Sequence, residues 1–318
     1  MKDQFLLELN RILTADRIKV KERMENHTSL HIGGEADYLV LPDNADEIKA
    51  VILLCRQNAI PYYIMGNGSN LLVADEGYRG LIIKVGENFS QITVDEGNVT
   101  AQAGVLLSKL SNEIVRCSLT GFEFASGIPG TLGGAVTMNA GAYDGDMKQC
   151  IVNARVMDVE GAVRTLSREE LELGYRTSIL QKEEYIVLEA TMSFCGGDYD
   201  KIRGRMKELN TLRREKQPLE YYSAGSTFKR PAGYFAAKLI NDAGLRGFRI
   251  GGAEVSEKHC GFLLNKNNAT AGEFIELINT VIRIVDEKFG VRLEPEVKLL
   301  GFTNAIKYHI ESLPDLTE

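Results

Sequence analysis

The chain has 318 residues, 44% of them hydrophobic and 25% charged, so it is long enough for two domains and is not a disordered polypeptide. Its net charge of -7 argues against nucleic-acid binding as a main role, although a local basic pocket for an anionic substrate stays possible. The five cysteines are scattered without a CxxC pair and the four histidines are dispersed, which argues against disulfide bonds and a metal cluster. We find no membrane-length apolar run and no signal peptide, so we expect a cytoplasmic protein.

The first 200 residues combine short helices and strands without regular β-α-β alternation, which predicts an α+β fold. Apolar residues at helical spacing predict a helix over 3–14, and Asn44 with Glu47 forms a capping-box pattern before a second helix. We then predict strands over 62–65, 81–85, 90–94 and 98–105, a helix over 106–117, a hairpin over 150–166 and a strand over 185–194. Ser167 and Glu170 form another capping-box pattern.

A turn of small residues, Gly66 to Asn70, follows the strand predicted over 62–65. Backbone N–H groups that converge after a strand can bind phosphate. The turn is not the dinucleotide-binding fingerprint, because Leu71 stands where the third glycine of GxGxxG would fall and no good helix follows. A hairpin or strand-exit turn is the more frequent explanation of such a motif.

The most distinctive stretch runs from Glu123 to Tyr143, EFASGIPGTLGGAVTMNAGAY, and contains five glycines and one charge at its edge. Its apolar residues distinguish it from a flexible linker. Since glycine lets the main chain approach a ligand closely, we expect a buried, rigid wall whose N–H groups face a phosphate or a flavin edge. A tight turn with a close helix crossing explains the stretch equally well.

A change in composition near residue 200 predicts a boundary between a first domain, 1–200, divided at about residue 65, and a second domain, 201–318. In the second domain we predict a charged helix over 201–216, a short helix over 234–242, a long helix over 271–289 and a strand over 291–301. The apolar stripe of the long helix is typical of core packing. In one alternative, the C-terminal segment returns to the first subdomain.

Three polar residues are candidates for chemistry. Arg176, in GYRTS, could bind a carboxylate through two parallel hydrogen bonds. Ser226, in SAGSTFKRP, lies near two cations and could donate a proton or bind phosphate, whereas the GxSxG pattern of a nucleophile is absent. Glu296 lies next to Pro295 between apolar neighbours, so partial burial would require a partner for its charge. Taken singly, each residue is as well explained by an ordinary surface role.

Five segments occur in one order over nearly the whole chain: GNGSNLLV, SGIPGTLGGAVTMNAGAY, YRTS, AGSTFK and LEPEV. Together they closely resemble the UDP-N-acetylenolpyruvoylglucosamine reductase (UDP-N-acetylmuramate dehydrogenase) family in its shorter form. The resemblance implies an FAD-binding domain of the vanillyl-alcohol-oxidase type, made of two α+β subdomains, and an α+β substrate-binding domain. It also implies a cytoplasmic, monomeric enzyme that uses NADPH and non-covalent FAD to reduce the enolpyruvyl ether of UDP-N-acetylglucosamine in peptidoglycan synthesis.

The resemblance also assigns site residues by motif. Catalysis falls to Arg176, to Ser226 as proton donor and to Glu296. A first FAD loop comprises Gly66, Asn67, Gly68, Ser69, Asn70 and Leu71. A second FAD wall comprises Gly127, Ile128, Pro129, Gly130, Thr131, Gly133, Gly134, Ala135, Asn139, Ala140, Gly141, Ala142 and Tyr143. The substrate contacts would be Tyr175, Lys216, Lys229, Arg230 and His259, and no metal ion is implied.

Three positions depart from the family pattern: Arg230 stands where Asn is common, His31 where Arg or Lys is common, and Tyr222 where Pro is expected. We therefore assign His31 no role in FAD binding. Two alternatives stay open, namely an FAD-dependent oxidase or dehydrogenase of the same fold that acts on a hydroxy acid or alditol, and a flavin-free UDP-sugar binding protein. The first would often carry a flavin-linking histidine in the first loop, and residues 66–70 contain none.

Overall fold

The computed structural model describes residues 2–302. The chain forms two compact units that do not follow chain order. Unit 1 comprises Met1–Lys21, Asp37–Asn67 and Gly80–Glu215, and unit 2 comprises Glu22–Ala36, Gly68–Arg79 and Lys216–Glu318. The first 215 residues therefore supply two segments of unit 2. The boundary near residue 200 stays a prediction, and the C-terminal segment beyond residue 302, with its alternative placement, lies outside the described residues.

The helices of the described residues include those that the sequence pattern predicts near 3–14, 106–117, 201–216, 234–242 and 271–289. In chain order they are α1 (Lys2–Ile12), α2 (Ala45–Gln57), α3 (Leu107–Arg116), α4 (Leu132–Thr137), α5 (Met147–Cys150), α6 (Ile179–Lys182), α7 (Tyr199–Lys216), α8 (Ala236–Asp242) and α9 (Ala271–Phe289). The Asn44 side chain accepts the Glu47 N–H at 2.9 Å, which confirms the predicted cap of α2. Across residues 2–302, we find no helix with the length and apolar character needed to cross a membrane.

The strands are β1 (Ile18–Arg23), β2 (Glu35–Val40), β3 (Tyr62–Met65), β4 (Leu71–Val73), β5 (Tyr78–Lys84), β6 (Ile92–Asp95), β7 (Asn98–Gln102), β8 (Leu119–Thr120), β9 (Gly141–Ala142), β10 (Gly145–Asp146), β11 (Ile151–Met157), β12 (Val163–Ser167), β13 (Ile186–Ser193), β14 (Cys195–Gly196), β15 (Tyr222–Ser226), β16 (Arg249–Ile250), β17 (Ala253–Val255), β18 (Phe262–Asn265) and β19 (Lys298–Leu300). The strand predicted over 291–301 was too long, because Pro295 has no N–H to donate and a bend follows it. Glu296 therefore precedes β19.

The second predicted capping box forms without starting a helix. Ser167 and Glu170 exchange both of its hydrogen bonds. After a single turn, however, Glu172 adopts a left-handed φ of 46°, which stops helical continuation. A capping box is a local signal, so it predicts a turn more reliably than the helix beyond it.

Unit 1 is built on an antiparallel five-stranded sheet in the order β12-β11-β13-β7-β6. The predicted hairpin of β11 and β12 is confirmed, with Ala154 opposite Leu166. Helices α1, α2, α3 and α4 contribute buried apolar side chains to the same core as this sheet. In a second sheet, β3 pairs in parallel with β5, and β3 leads directly into the first glycine loop.

Unit 2 contains an antiparallel sheet in the order β15-β18-β17-β16 and a separate parallel pair, β4 with β19. Helix α9 begins with a capping box between Thr270 and Glu273 and ends at Gly290 in the left-handed region. Its predicted apolar stripe is buried in the core of this unit. The pairing of β4 with β19 places Leu71 opposite Lys298, which brings the end of the first loop next to the segment that carries Glu296.

Candidate active site

The first glycine loop and the second glycine-rich stretch touch within unit 1. A β-carbon built on Gly66 would lie 2.1 Å from Thr131 Oγ1. The Asn67 side-chain amide donates to the carbonyl of Pro129 at 3.2 Å. Only glycine permits such an approach. Gly66 therefore serves the packing of the protein itself, in addition to any ligand.

The second stretch is held in place by the buried side chain of Asn139. Its Nδ2 donates to the carbonyl of Gly174 at 3.0 Å, and its Oδ1 accepts the N–H of Lys148 at 2.9 Å. The stretch then turns through Tyr143 and Asp144, whose φ values of 51° and 66° are typical of a tight hairpin turn between β9 and β10. The side chain of Asn139 is thus occupied by protein partners, which supports the expectation of a rigid wall.

Arg176 lies in a tight turn next to this stretch. Gly174 and Thr177 each donate their N–H to the carbonyl of the other, and Arg176 has a φ of 56°, which few non-glycine residues adopt. Its Nη2 donates to the carbonyl of Gly141 at 3.4 Å, and its guanidinium lies 5.2 Å from the ring centre of Tyr175. Within unit 1, the structure therefore brings Arg176 and Tyr175 together with the second wall.

In unit 2, the first loop is tied to the segment before β19. The Asn70 side-chain amide donates to the carbonyl of Glu296 at 3.1 Å. The N–H of Glu296 in turn donates to the carbonyl of Thr227 at 2.7 Å. Because Thr227 follows Ser226 in the chain, the structure brings together two of the three predicted catalytic residues, Ser226 and Glu296.

Ser226 ends β15 and is exposed to solvent. The pairing of β15 with β18 is irregular between Ser223 and Ser226, and Gly225 has a left-handed φ of 76°. Such a bulge changes the direction in which the following side chain points. Three positions further along the chain, the Lys229 ammonium forms an ion pair with the carboxylate of Glu294 at 2.9 Å. Ser226 is therefore an exposed residue at the end of an irregular strand.

Lys298 is a further candidate site residue, two positions after Glu296, that the sequence motifs did not indicate. Lys298 as a whole is exposed to solvent, but partial burial of its ammonium lowers the pKa of Lys298. The positive charge of Lys229 lowers this pKa further, whereas the carboxylate of Glu296 raises it. Burial also lowers the pKa of His259. Among the described residues the buried Nδ1 of His259 has no hydrogen-bond partner, and its ring meets Phe262 edge-on at 5.1 Å.

The other predicted substrate contacts and the family departures also lie in unit 2. Lys216 is the exposed last residue of α7, and the guanidinium of Arg230 lies 4.1 Å from the ring centre of Phe235. The rings of His31 and Tyr222 stack with centres 3.9 Å apart. Two of the three residues that depart from the family pattern, His31 and Tyr222, therefore contact each other, and no local sequence signal predicts this contact.

Two observations bear on whether FAD fits these residues. In the part of the chain that the structure describes, the backbone N–H groups of residues 66–70 donate to no backbone carbonyl, so they are available to a pyrophosphate. In unit 1, Arg213 is only 9% exposed, its Nε has no hydrogen-bond partner within residues 2–302, and its guanidinium lies 6.0 Å from the ring centre of Tyr143. Burial of an incompletely paired cation is costly unless an anion approaches it. Each feature fits an anionic ligand such as a dinucleotide, and Arg213 is a further candidate that the sequence motifs did not indicate.

Comparison with known proteins agrees with this chemistry. A family model described as the C-terminal domain of UDP-N-acetylenolpyruvoylglucosamine reductase matches residues 217–300, and an FAD binding domain model matches residues 36–167. The chain is 53% identical over 305 residues to the UDP-N-acetylenolpyruvoylglucosamine reductase of Lachnoclostridium phytofermentans, which covers 95% of this chain and 98% of that protein. The chain belongs to the UDP-N-acetylenolpyruvoylglucosamine reductase family.

Further relatives extend the comparison. The reductase of Alkaliphilus oremlandii is 51% identical and covers 92% of this chain and 96% of its own. The crystal structure of the reductase from Thermus caldophilus is similar with a TM-score of 0.76 and 35% identity, and covers 89% of this chain and 99% of that chain.

Membership of the reductase family confirms the resemblance inferred from the five segments. It also confirms an FAD-dependent oxidoreductase that has an FAD-binding domain and the predicted α+β fold. An FAD-binding domain contradicts the flavin-free alternative. Among residues 2–302, no group of His, Cys, Asp and Glu side chains is placed to hold a metal ion.

Proposed function

We propose that the enzyme uses NADPH and bound FAD to reduce the enolpyruvyl ether of UDP-N-acetylglucosamine to UDP-N-acetylmuramate in peptidoglycan precursor synthesis. The observation that carries the proposal is the 53% identity to a protein named for this reaction over 95% of the chain. When bound, FAD supplies a hydride to the terminal carbon of the enolpyruvyl group. The family resemblance also supports a cytoplasmic monomer, for which light scattering of the purified protein is the test.

Arg176 is proposed to bind the substrate carboxylate. Once the terminal carbon has received a hydride, negative charge develops on the adjacent carbon and on the carboxylate as an enolate. A guanidinium suits this position because its charge is permanent and it can form two parallel hydrogen bonds. The turn of residues 174–177 and the hydrogen bond to the carbonyl of Gly141 restrain Arg176 before substrate binds. Pre-organised charge of this kind needs little rearrangement during reaction.

Ser226 is proposed to deliver the final proton to the carbon adjacent to the carboxylate. Serine is a weak acid, so this transfer requires a strongly basic enolate and nearby cations such as Lys229. Glu296 is proposed either to pair with a cation or, when protonated, to donate a hydrogen bond to the enolate. A positioned general acid accelerates such a step by about two to four powers of ten.

The two half-reactions of the holoenzyme test these roles separately. Under anaerobic conditions, NADPH should bleach the flavin of the wild type, and the enolpyruvyl UDP-sugar should then reoxidise it. Ser226→Ala should bleach normally but be reoxidised about 10²–10⁴-fold more slowly. Ser223→Ala, in the same strand, is the matched control and should keep the wild-type rates.

Three outcomes would oppose the proposal. Near-normal turnover of Ser226→Ala would remove the proton-donor role. Slow reoxidation of Ser223→Ala as well would point to a general disturbance of β15. A wild-type flavin that ignores the enolpyruvyl sugar, and that is reduced by a hydroxy acid and rapidly reoxidised by oxygen, would favour the oxidase alternative.

A further inference from the structure

The side chain of Asn70 links the first glycine loop to the segment that carries Glu296, within unit 2. Its Nδ2 donates to the carbonyl of Glu296 at 3.1 Å, while its own backbone carbonyl accepts the N–H of Lys298 at 3.0 Å. Asn70 thus contacts the chain on both sides of Val297. The motif resemblance placed Asn70 among FAD-binding residues, but this side-chain donor is directed at a protein carbonyl.

The backbone of Glu296 is restrained from the opposite side by Thr227. The N–H of Glu296 donates to the carbonyl of Thr227 at 2.7 Å. Thr227 is itself 1% exposed, donates its N–H to the carbonyl of Gly261 at 2.9 Å, and accepts the N–H of Leu263 on its Oγ1 at 3.2 Å. Both backbone polar groups of Glu296 therefore have fixed partners, and together they set the direction in which its carboxyl leaves the main chain.

The position of Glu296 explains why a side chain is needed here. Glu296 precedes β19, so its carbonyl lies outside the β4–β19 ladder. The amide of Asn70 therefore supplies a hydrogen bond that a regular strand would have supplied from its backbone.

We propose that Asn70 is a positioning residue for Glu296, whose main chain it holds so that the carboxyl is correctly directed for the reduction step. The inference rests on the proposed function and refines the role of Asn70. On this view, the loop that contributes to FAD binding and the proposed catalytic carboxylate form one hydrogen-bonded body. FAD contacts in this loop then fall to backbone N–H groups, and the Asn70 amide serves Glu296.

The test compares Asn70→Ala with Asn67→Ala in the FAD-loaded enzyme. The two asparagines lie in the same loop and each donates to one backbone carbonyl, but the partner of Asn67 is Pro129. Asn70→Ala should keep its flavin and its rate of bleaching by NADPH, and should lose about 10- to 100-fold in reoxidation by the enolpyruvyl UDP-sugar. For Asn67→Ala, the main effect should appear in flavin affinity, measured by titration of the apoprotein with FAD.

A double-mutant cycle distinguishes a positioning role of Asn70 from a merely structural one. In a Glu296→Gln background the carboxylate is already absent, so Asn70→Ala should add little further loss of reoxidation. Multiplicative losses would mean independent action and would overturn the positioning role. The role also fails if Asn70→Ala is reoxidised at the wild-type rate, or if its only defect is weak FAD binding that excess FAD restores.

Should Asn70→Ala fail to fold, Asn70→Ser, which retains a shorter hydroxyl donor, takes its place in the same cycle. If the substrate does not reoxidise even the wild-type flavin, the proposed function itself fails and the positioning role fails with it. If the wild type reacts and the Asn70 variants react equally fast, only the positioning role is refuted.

Discussion

Gly66→Ala perturbs the contact between the two glycine-rich segments at one atom. The added methyl carbon would lie 2.1 Å from Thr131 Oγ1, 3.2 Å from its Cβ and 3.3 Å from its Cγ2. Thr131 is only 3% exposed, so its side chain cannot swing into solvent to make room. The backbone of Gly66 is not in the left-handed region, and steric overlap is therefore the main cost.

The magnitude follows from overpacking in a closely packed interior. Forcing one extra carbon into such a site costs typically about 1–3 kcal/mol, because neighbouring atoms or the backbone must shift. A shift of the loop away from Thr131 would also move Asn67, whose amide bonds Pro129. We therefore expect Gly66→Ala to lower both the free energy of unfolding and the affinity for FAD.

Urea unfolding followed by circular dichroism provides the assay, since the chain has no tryptophan for fluorescence. Gly204→Ala is the matched control: it lies in α7, and a β-carbon there meets nothing within 4 Å. That substitution should stabilise by about 0.5–1 kcal/mol, because glycine is unfavourable inside a helix. In a Thr131→Ala background, Gly66→Ala should cost less. If Gly66→Ala is as harmless as Gly204→Ala, the packing argument is refuted.

Two further predictions concern stability in unit 2. The carboxylate oxygens of Asp75 accept the N–H of Ala271 at 2.8 Å and the N–H of Gly272 at 3.0 Å at the start of α9. Asp75→Ala removes both acceptors and should lower the free energy of unfolding in urea by about 1–2 kcal/mol. An unchanged midpoint of urea unfolding would contradict this. Burial lowers the pKa of His259 below its ordinary value of 6.5. As the pH falls below 6.5, the unfolded chain therefore binds a proton at this histidine that the folded chain does not. The free energy of unfolding then decreases until the pH reaches the folded-state pKa. His259→Gln should show a shallower decrease in unfolding free energy between about pH 7 and pH 5; identical slopes would exclude this contribution.

Local signals in the sequence predicted much of the secondary structure and the family. The long helix α9 carries its own capping box, apolar stripe and terminal glycine, all of which act within a few residues of each other. The five motif segments likewise required only their own residues and their order to indicate FAD and the reductase family. Where a local signal was misleading, as at Ser167 and around Pro295, the cause was a backbone restriction a few residues further along.

Only the tertiary structure decided which of these residues meet. Gly66 belongs to a phosphate-loop pattern in the sequence, but its lack of a side chain is required by Thr131, which follows it by 65 positions. Asn70 and Glu296 are 226 positions apart, and their hydrogen bond exists because β4 pairs with β19. Such contacts have no periodicity and no spacing that a sequence pattern could contain. They arise when the apolar faces of distant segments are buried together, and that burial is a property of the whole fold.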